Sequence, residues 1–436
     1  MSSGYSSADN RSRIGGLLRK TRVLALLSVV FAAAARTPDH AEAIEDNGVG
    51  VIVKAFDHGY SDAEVEESYE NAVEMGATWT RVVVPWFYVE RSPGEYNWDS
   101  TDKSIAAANK HGLNVLIQVS TAPEWATGID NLSPEQRKSL KPGMDTYAPT
   151  PDHYDDYAQF FANVVKRYSK QGVKDYEVWN EPGSAGFWKD SPDNPKASPE
   201  SYAQLLKHTY PAAHKANRDV NVIAGGQVVM PTESDDSVIG ATEYLKRMYA
   251  AGAQGNFDSL SHHPYGIDSK EWVWNGWDYM FGDQPTLNAP AENLYSLMRA
   301  NGDGHKDIWL TEVGQDTVRG TADETIQEER YSQYLNTWGQ SHNVGPILFY
   351  QIEDKKPYHA SQDKEDYFGV IREDGSWKPA AWAIKYYTET NPPSGVRSQV
   401  NAQMVPNARV AEHEDARPDH PEACLLYTSP SPRDRQ

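Results

Sequence analysis

The sequence has 436 residues, a formal net charge of −21 and a single cysteine, Cys424. Such an acidic surface repels nucleic acid and anionic membranes, so neither is an expected partner. One cysteine in a tail excludes both a disulfide framework and a thiolate metal site.

The first 43 residues are typical of a secretory signal peptide with an N-terminal extension. Arg19, Lys20 and Arg22 precede an apolar run over 23–35, and Ala41-Glu42-Ala43 matches an A-x-A cleavage pattern. The apolar run is too short to span a bilayer comfortably. We therefore predict a secreted or periplasmic protein with no stable membrane partner after cleavage. An uncleaved membrane anchor and a buried helix are the alternatives.

Eight apolar, β-branched segments then alternate with amphipathic ones. The predicted strands are Val49–Phe56, Thr78–Pro85, Asn114–Ser120, Asp175–Asn180, Val220–Gly225, Phe257–His262, Asp307–Glu312 and Pro346–Gln351. The predicted helices are Ala63–Met75, Thr101–His111, Pro151–Gln171, Pro199–Asn217, Ala241–Ala251, Ala291–Asn301 and Thr325–Ser341, with a closing helix inside Phe368–Lys385. This alternation predicts an α/β fold, a single (β/α)8 barrel domain over residues 44–390. A doubly wound sheet is disfavoured because no Gly-rich phosphate loop follows the first strand.

From residue 391 onward the composition shifts to Pro, Asn, Arg and Asp without an apolar period. Such a segment cannot bury a core, so we predict a disordered tail over 391–436. The last dozen residues, 425–436, resemble translated cloning sequence more than native protein.

The carboxyl ends of the predicted strands carry an unusual set of polar and aromatic residues. These are Trp86, Trp125, Asn180, Glu181, His263, Tyr265, Glu312 and Tyr350. In a (β/α)8 barrel the chemistry takes place at this end of the strands. We therefore expect these side chains to surround one cleft.

Two glutamates are the candidate catalytic residues. Glu181 follows Asn180 at the end of the fourth predicted strand, and Glu312 closes the seventh. Cleaving a glycosidic bond needs one carboxylic acid to protonate the leaving oxygen and one carboxylate at the anomeric carbon. A gap of about 5 Å between them would mean retention and one of about 6.5–9.5 Å inversion, and the sequence leaves both open. A single glutamate at the end of a strand commonly forms a surface ion pair or caps a helix, but two such glutamates favour a catalytic role.

The motifs around these glutamates resemble those of known enzymes. Asn180-Glu181-Pro182 and Thr311-Glu312-Val313-Gly314 resemble clan A glycoside hydrolases, and the stretches 176–188, 224–226 and 257–266 are most similar to glycoside hydrolase family 39 and its bacterial polysaccharide-active relatives. The resemblance spans residues 49–387. It implies a retaining β-glycoside hydrolase in which Glu181 is the acid/base and Glu312 is the nucleophile.

The resemblance implies further roles at the cleft. Arg81 resembles the arginine that helps to keep the nucleophile ionised, and His263 with Tyr265 resembles a sixth-strand His-x-Tyr whose tyrosine donates to the nucleophile. A capping or core histidine is the alternative for His263. Two departures concern substrate: Gln118-Val119-Ser120 stands where related families carry a histidine, and Tyr350 stands where they often carry a tryptophan.

Several aromatic residues are candidate platforms for sugar rings. Trp86, Trp125 and Trp188 are predicted to stack on substrate, with loop packing as the alternative, and the cluster Trp272, Trp274 and Trp277 is equally consistent with either.

The expected partner is a carbohydrate, and we predict a monomer that needs no cofactor and no metal. Xylan, β-glucan, mannan and a secreted biofilm polysaccharide all remain open as substrates, as does endo against exo action. A transglycosylase, a non-catalytic carbohydrate-binding barrel and a structural envelope protein are the alternatives.

Overall fold

Eight parallel strands close into a barrel in the order β1 to β8, which confirms the predicted (β/α)8 fold. The strands are β1 Val49–Val51, β2 Trp79–Pro85, β3 Asn114–Ser120, β4 Asp175–Val178, β5 Asn221–Val228, β6 Ser259–His263, β7 Ile308–Val313 and β8 Val344–Phe349. The computed structural model describes residues 48–56, 60–139, 147–228, 237–267, 276–281 and 292–392. The predicted signal segment and the tail from 393 onward lie outside these residues.

Helices follow the strands on the outside of the barrel. They are α1 Asp62–Glu74, α2 Trp86–Val89, α3 Asp99–Lys110, α4 Glu124–Thr127, α5 Pro134–Ser139, α6 Tyr154–Tyr168, α7 Pro199–Ala216, α8 Ala241–Ala250, α9 Gly276–Phe281, α10 Leu294–Ala300, α11 Thr321–Gly339 and α12 Pro379–Thr390. None of the helices in the described ranges is long and apolar enough to cross a membrane.

The predicted strand bounds differ from the observed ones mainly at the mouth of the barrel. β1 ends at Val51 and β4 ends at Val178, before the predicted ends Phe56 and Asn180. After β4 the chain leaves the extended conformation because Trp179 has a left-handed φ of 73°. The apolar residues continue beyond the last hydrogen-bonded residue of the strand, because a side chain at the barrel mouth can be buried without being in a strand.

A small cluster fills the lower barrel interior, apart from the larger core between strands and helices. It consists of Trp79, Leu116, Ile223 and Trp309. The rings of Trp79 on β2 and Trp309 on β7 meet edge to face at 5.4 Å although their strands are not neighbours. Only side chains inside the barrel can make such a contact. This layer closes the interior below the polar residues at the mouth.

Register shifts in two strand pairs change which side chains face the barrel. Between β7 and β8 the pairing passes from Leu310↔Ile347 to Val313↔Phe349, so β7 advances by one residue more than its partner. This is the count of a β-bulge, which can turn two successive side chains toward the same side. Thr311 and Glu312 both contact interior groups. A similar shift lies in β5 between Ala224 and Gln227.

Candidate active site

Five of the predicted site residues meet at the carboxyl ends of the strands. Arg81 comes from β2, Glu181 follows β4, His263 ends β6, Tyr265 follows it, and Glu312 lies on β7. Direct contacts link Arg81 to Glu312, His263 to Glu181 and Tyr265 to Glu312. These five side chains therefore lie together at one end of the barrel.

The turn after β4 presents Asn180 and Glu181 to the cleft. Trp179 and Glu181 on either side of Asn180 both have left-handed backbone angles, with φ of 73° and 40°. Such angles cost a non-glycine residue about 1–3 kcal/mol, and they persist where the surroundings hold them. The buried Trp179 is held by its indole N–H, which donates to the Phe187 carbonyl at 2.8 Å, and by its backbone N–H, which donates to Val119.

The carboxylates of Glu181 and Glu312 face each other at short range. An oxygen of one lies within 4.8 Å of an oxygen of the other. His263 lies between them, with Nδ1 at 2.6 Å from Oε1 of Glu181 and at 3.5 Å from Oε2 of Glu312. The two glutamate side chains are 17% and 14% exposed. They are thus partly shielded from water yet open to a ligand.

Arg81 is the positive charge beneath this pair. Its Nη1 donates to Oε2 of Glu312 at 3.3 Å, and its Nη2 donates to Oδ1 of Asn180 at 2.8 Å. Its Nε and Nη2 both donate to the buried carboxylate of Glu177. Burial disfavours the charged guanidinium, but Glu177 and then Glu312 outweigh it and raise the pKa of Arg81.

Tyr265 holds the other oxygen of Glu312. Its hydroxyl donates to Oε1 of Glu312 at 2.9 Å, as the family resemblance implied. Burial, and next the charge of Glu312, raise the pKa of Tyr265 well above its ordinary value. The phenol therefore keeps its proton at neutral pH and remains a donor.

His263 is buried, with 1% of its surface exposed. Its Nε2 lies 3.1 Å from the hydroxyl of Thr311. Burial disfavours the imidazolium, but the charges of Glu312 and Glu181 outweigh it and raise the pKa of His263. On β5, Gly226 makes room for the ring, because a Cβ there would lie 2.4 Å from Nε2. Although it is buried as a core histidine would be, His263 contacts both carboxylates.

Two residues of the cluster were not predicted from the sequence. Glu177 is fully buried and accepts from Arg81, and its Oε1 accepts from the Thr311 hydroxyl at 3.1 Å. A signal for Glu177 existed, since a carboxylate inside an apolar strand needs a buried cation or donor. Thr311 gave no such signal, because a threonine is ordinary in a strand.

The structure contradicts the prediction that Trp86 and Trp188 stack on substrate. Both are fully buried, with 0% of their surface exposed, so neither can present a ring face to a sugar. Trp86 packs on Trp125 at 5.2 Å and donates to Glu90. Trp188 packs on Trp179 at 5.1 Å. The packing alternative is therefore the right one for these two residues, because Trp86 also packs on Phe160 of α6 and Trp188 on Tyr202 of α7.

The remaining aromatic candidates stay predictions. Trp125 is partly exposed, and its indole N–H donates to the Glu90 carbonyl at 3.3 Å. Tyr350 follows β8, is partly exposed, and donates to Glu365 at 3.0 Å. Trp277 is partly exposed on α9, next to Phe281. Trp272 and Trp274 lie outside the residues that the structure describes.

The donor types of Glu181, His263 and Glu312 would also suit a metal ion. The surroundings oppose this use. The guanidinium of Arg81 lies 3.3 Å from Glu312, and a cation there would meet its charge. Tyr265 already occupies the other oxygen of Glu312, and His263 is shared between Glu181 and Thr311. The cluster is better suited to proton transfer than to metal binding.

Several solved structures are similar to this one. A family 39 glycoside hydrolase from the gut symbiont Bacteroides cellulosilyticus has a TM-score of 0.56 and 20% identity to this chain. The match covers 79% of this chain and 64% of that protein, so this chain spans somewhat less than two thirds of the length of that protein. GH5_18 from Streptomyces cattleya in complex with GlcNAc has a TM-score of 0.54 and 15% identity, over 84% of this chain and 83% of that one. Native xylanase 10B from Thermotoga maritima has a TM-score of 0.52 and 16% identity, over 80% of this chain and 97% of that one.

No protein-family model and no curated protein sequence matches the chain. At these identities the structural likeness is one of fold. It shows that the chain has the (β/α)8 barrel fold that these glycoside hydrolases also have.

Proposed function

We propose that this protein is a retaining β-glycoside hydrolase in which Glu181 is the acid/base and Glu312 is the nucleophile. The observation that carries the proposal is the pair of carboxylate oxygens within 4.8 Å at the mouth of the barrel. Retaining enzymes keep their two carboxyl groups about 5–5.5 Å apart, and inverting enzymes need about 6.5–9.5 Å to admit a water. The short gap therefore favours direct attack by a carboxylate.

In the first step Glu312 attacks the anomeric carbon. A bond forms between a carboxylate oxygen and that carbon while the glycosidic C–O bond breaks, and Glu181 gives its proton to the departing oxygen. Arg81 and Tyr265 hold the two oxygens of Glu312 at 3.3 and 2.9 Å, which fixes the direction of attack. The product of this step is a covalent glycosyl-enzyme.

In the second step water releases the sugar. Glu181, now a carboxylate, takes a proton from the water as the oxygen bonds to the anomeric carbon, and the bond to Glu312 breaks. Two inversions at one carbon give net retention of configuration. Both glutamates return to their starting states, so no further reactant is needed.

Asn180 is suited to bind the sugar next to the reacting carbon. Its amide oxygen accepts from Arg81 at 2.8 Å, which orients the amide so that its nitrogen is the group left to donate. A hydrogen bond from such a donor to the sugar 2-hydroxyl strengthens in the transition state. This supports the predicted substrate contact of Asn180.

The test is hydrolysis of a panel of xylan, β-glucan, mannan and biofilm polysaccharides by the purified protein, with proton NMR of the first product formed. We expect the β anomer first. Glu312→Gln should abolish turnover and keep the fold, while Glu124→Gln, at an exposed glutamate on α4, should leave turnover unchanged. First appearance of the α anomer, or normal turnover by Glu312→Gln, would overturn the proposal.

The same experiment separates the alternatives. Oligosaccharide binding without hydrolysis by the wild type would point to a non-catalytic binding barrel. Longer products at high acceptor concentration would point to a transglycosylase, in which a sugar hydroxyl replaces water in the second step.

A further inference from the structure

A chain of hydrogen bonds runs from the floor of the cleft to the acid/base candidate. It starts at Glu177, whose Oε2 accepts twice from Arg81 and which is therefore an ionised acceptor. Its other oxygen, Oε1, lies 3.1 Å from the hydroxyl of Thr311. A carboxylate has no proton to give, so the proton in this contact belongs to Thr311.

Because Thr311 donates its one hydroxyl proton to Glu177, its oxygen can only accept in its other hydrogen bonds. A hydroxyl has one proton and two lone pairs. Ser261 and His263 Nε2 both contact the same oxygen of Thr311. Each must therefore act as a donor, and Nε2 of His263 carries a hydrogen in every protonation state of the ring.

We propose that Thr311, held by Glu177, fixes the tautomer of His263, so that Nδ1 is the ring atom that exchanges a proton with Glu181. This inference rests on the proposed acid/base role of Glu181. Thr311 and Glu177 are then positioning residues, since they act on the reaction through His263. Nδ1 is well placed for the exchange, at 2.6 Å from Oε1 of Glu181.

The fixed tautomer has a consequence for each half of the reaction. Before bond cleavage one proton is shared between Nδ1 and Oε1 of Glu181. Once Glu181 has given a proton to the leaving oxygen, a lone pair on Nδ1 faces the new carboxylate. That repulsion makes Glu181 a stronger base toward water in the second step. The opposite tautomer would instead donate from Nδ1 to the carboxylate and weaken it as a base.

Packing keeps the ring in this orientation. Gly226 lies against the ring on β5, where any Cβ would overlap Nε2. The charged and titratable groups that face His263 come from β2, β4, β6 and β7 and their ends: Arg81, Glu177, Glu181, Tyr265 and Glu312. Burial and the charge of Arg81 oppose a protonated ring, whereas the charges of Glu312 and Glu181 favour it and raise the pKa of His263.

The first test needs no substrate. Histidine labelled with nitrogen-15 in its ring reports by NMR which nitrogen carries hydrogen, and His263 is assigned among the 13 histidines of the chain by its loss in His263→Gln. We expect Nε2–H throughout a pH titration, with only Nδ1 changing state. A neutral wild-type ring with hydrogen on Nδ1 would overturn the proposal, whatever the substrate proves to be.

The second test uses Thr311→Val, which removes the hydroxyl at nearly constant volume. We expect the neutral ring to move to Nδ1–H and the alkaline limb of the kcat/KM profile to shift to lower pH by about one unit, the size of one hydrogen bond gained by the Glu181 carboxylate. Thr311→Ser should restore both. The matched control is Thr80→Val on β2, which deletes another buried hydroxyl whose bond goes to the Val51 carbonyl.

The NMR titration and the Thr311→Val kinetics distinguish a failure of this proposal from a failure of the proposed function. A wild-type ring with Nε2–H but no hydrolysis of any glycan would leave the tautomer established and refute the hydrolase. Active wild-type enzyme with an unshifted profile in Thr311→Val would refute the positioning role alone. Should Thr311→Val fail to fold, the wild-type titration still decides the tautomer.

Discussion

Arg81 donates two hydrogen bonds to one oxygen of Glu177, from Nε at 2.9 Å and from Nη2 at 2.7 Å. The two side chains are 5% and 0% exposed, so water screens neither charge. Glu177 thus balances most of the guanidinium charge, and the remaining nitrogen, Nη1, reaches Glu312 at the longer distance of 3.3 Å. Arg81 therefore holds Glu312 less closely than Glu177, which suits the nucleophile role proposed for Glu312.

Glu177→Gln is expected to destabilise the protein by about 3–5 kcal/mol, because removing the nearer partner of a buried pair leaves Arg81 with only the longer contact to Glu312. Urea unfolding measures the change. Glu200→Gln is the matched control, since Glu200 forms a bidentate pair with Arg247 in which the side chains are 53% and 28% exposed. That exposed pair should contribute only about 0–1 kcal/mol. Equal losses in the two variants would contradict the prediction.

Glu181→Ala should reveal the acid/base role through the leaving group. Loss of a general acid lowers kcat/KM by about 10²–10⁴-fold when the leaving alcohol is poor and needs protonation. An activated aryl glycoside leaves without a proton, so its first step should be nearly unaffected. Steady-state kinetics on a natural oligosaccharide and its aryl analogue provide the comparison. Similar losses on both substrates would argue that Glu181 has another role.

Gly226→Ala tests whether the position of His263 matters. The added Cβ would lie 2.4 Å from Nε2, so the ring must shift from the position in which Nδ1 meets the Glu181 carboxylate. A displacement of about 1 Å at a catalytic group can cost about a hundredfold in rate. Gly186→Ala is the control, because its Cβ would meet only the Ser184 hydroxyl, at an ordinary 3.4 Å. Circular dichroism verifies the fold, and unchanged activity in Gly226→Ala would refute the prediction.

Lys378→Ala tests how the loops after β7 and β8 are held. Lys378 is fully buried and donates to Thr317 at 2.7 Å and to Asp354 at 2.8 Å. Truncation leaves the Asp354 carboxylate buried without its cation, so we expect a loss of about 3–5 kcal/mol in unfolding free energy. Lys103→Ala, in the exposed pair with Asp62, should cost about 0–1 kcal/mol. Comparable midpoints for the two variants would disprove the structural role.

The sequence by itself determined the architecture and the principal carboxylates. Eight apolar segments alternating with amphipathic ones specify a barrel, because a parallel strand needs a crossover helix and buries both of its faces. Glu181 and Glu312 were identifiable because each is a charge at the end of such a segment. Local sequence carries this information, since periodicity and strand ends depend on neighbours along the chain.

Only the tertiary structure decided which strand-end residues reach the cleft. Trp86 and Trp188 follow strands as Trp125 does, yet both are fully buried, Trp86 against Phe160 of α6 and Trp188 against Tyr202 of α7. Glu177 and Thr311 meet across the barrel from β4 and β7, and the bulge-like shift in β7 lets Thr311 and Glu312 both serve the site. Such contacts join residues far apart in sequence, so no local pattern contains them, and they exist once the barrel has closed.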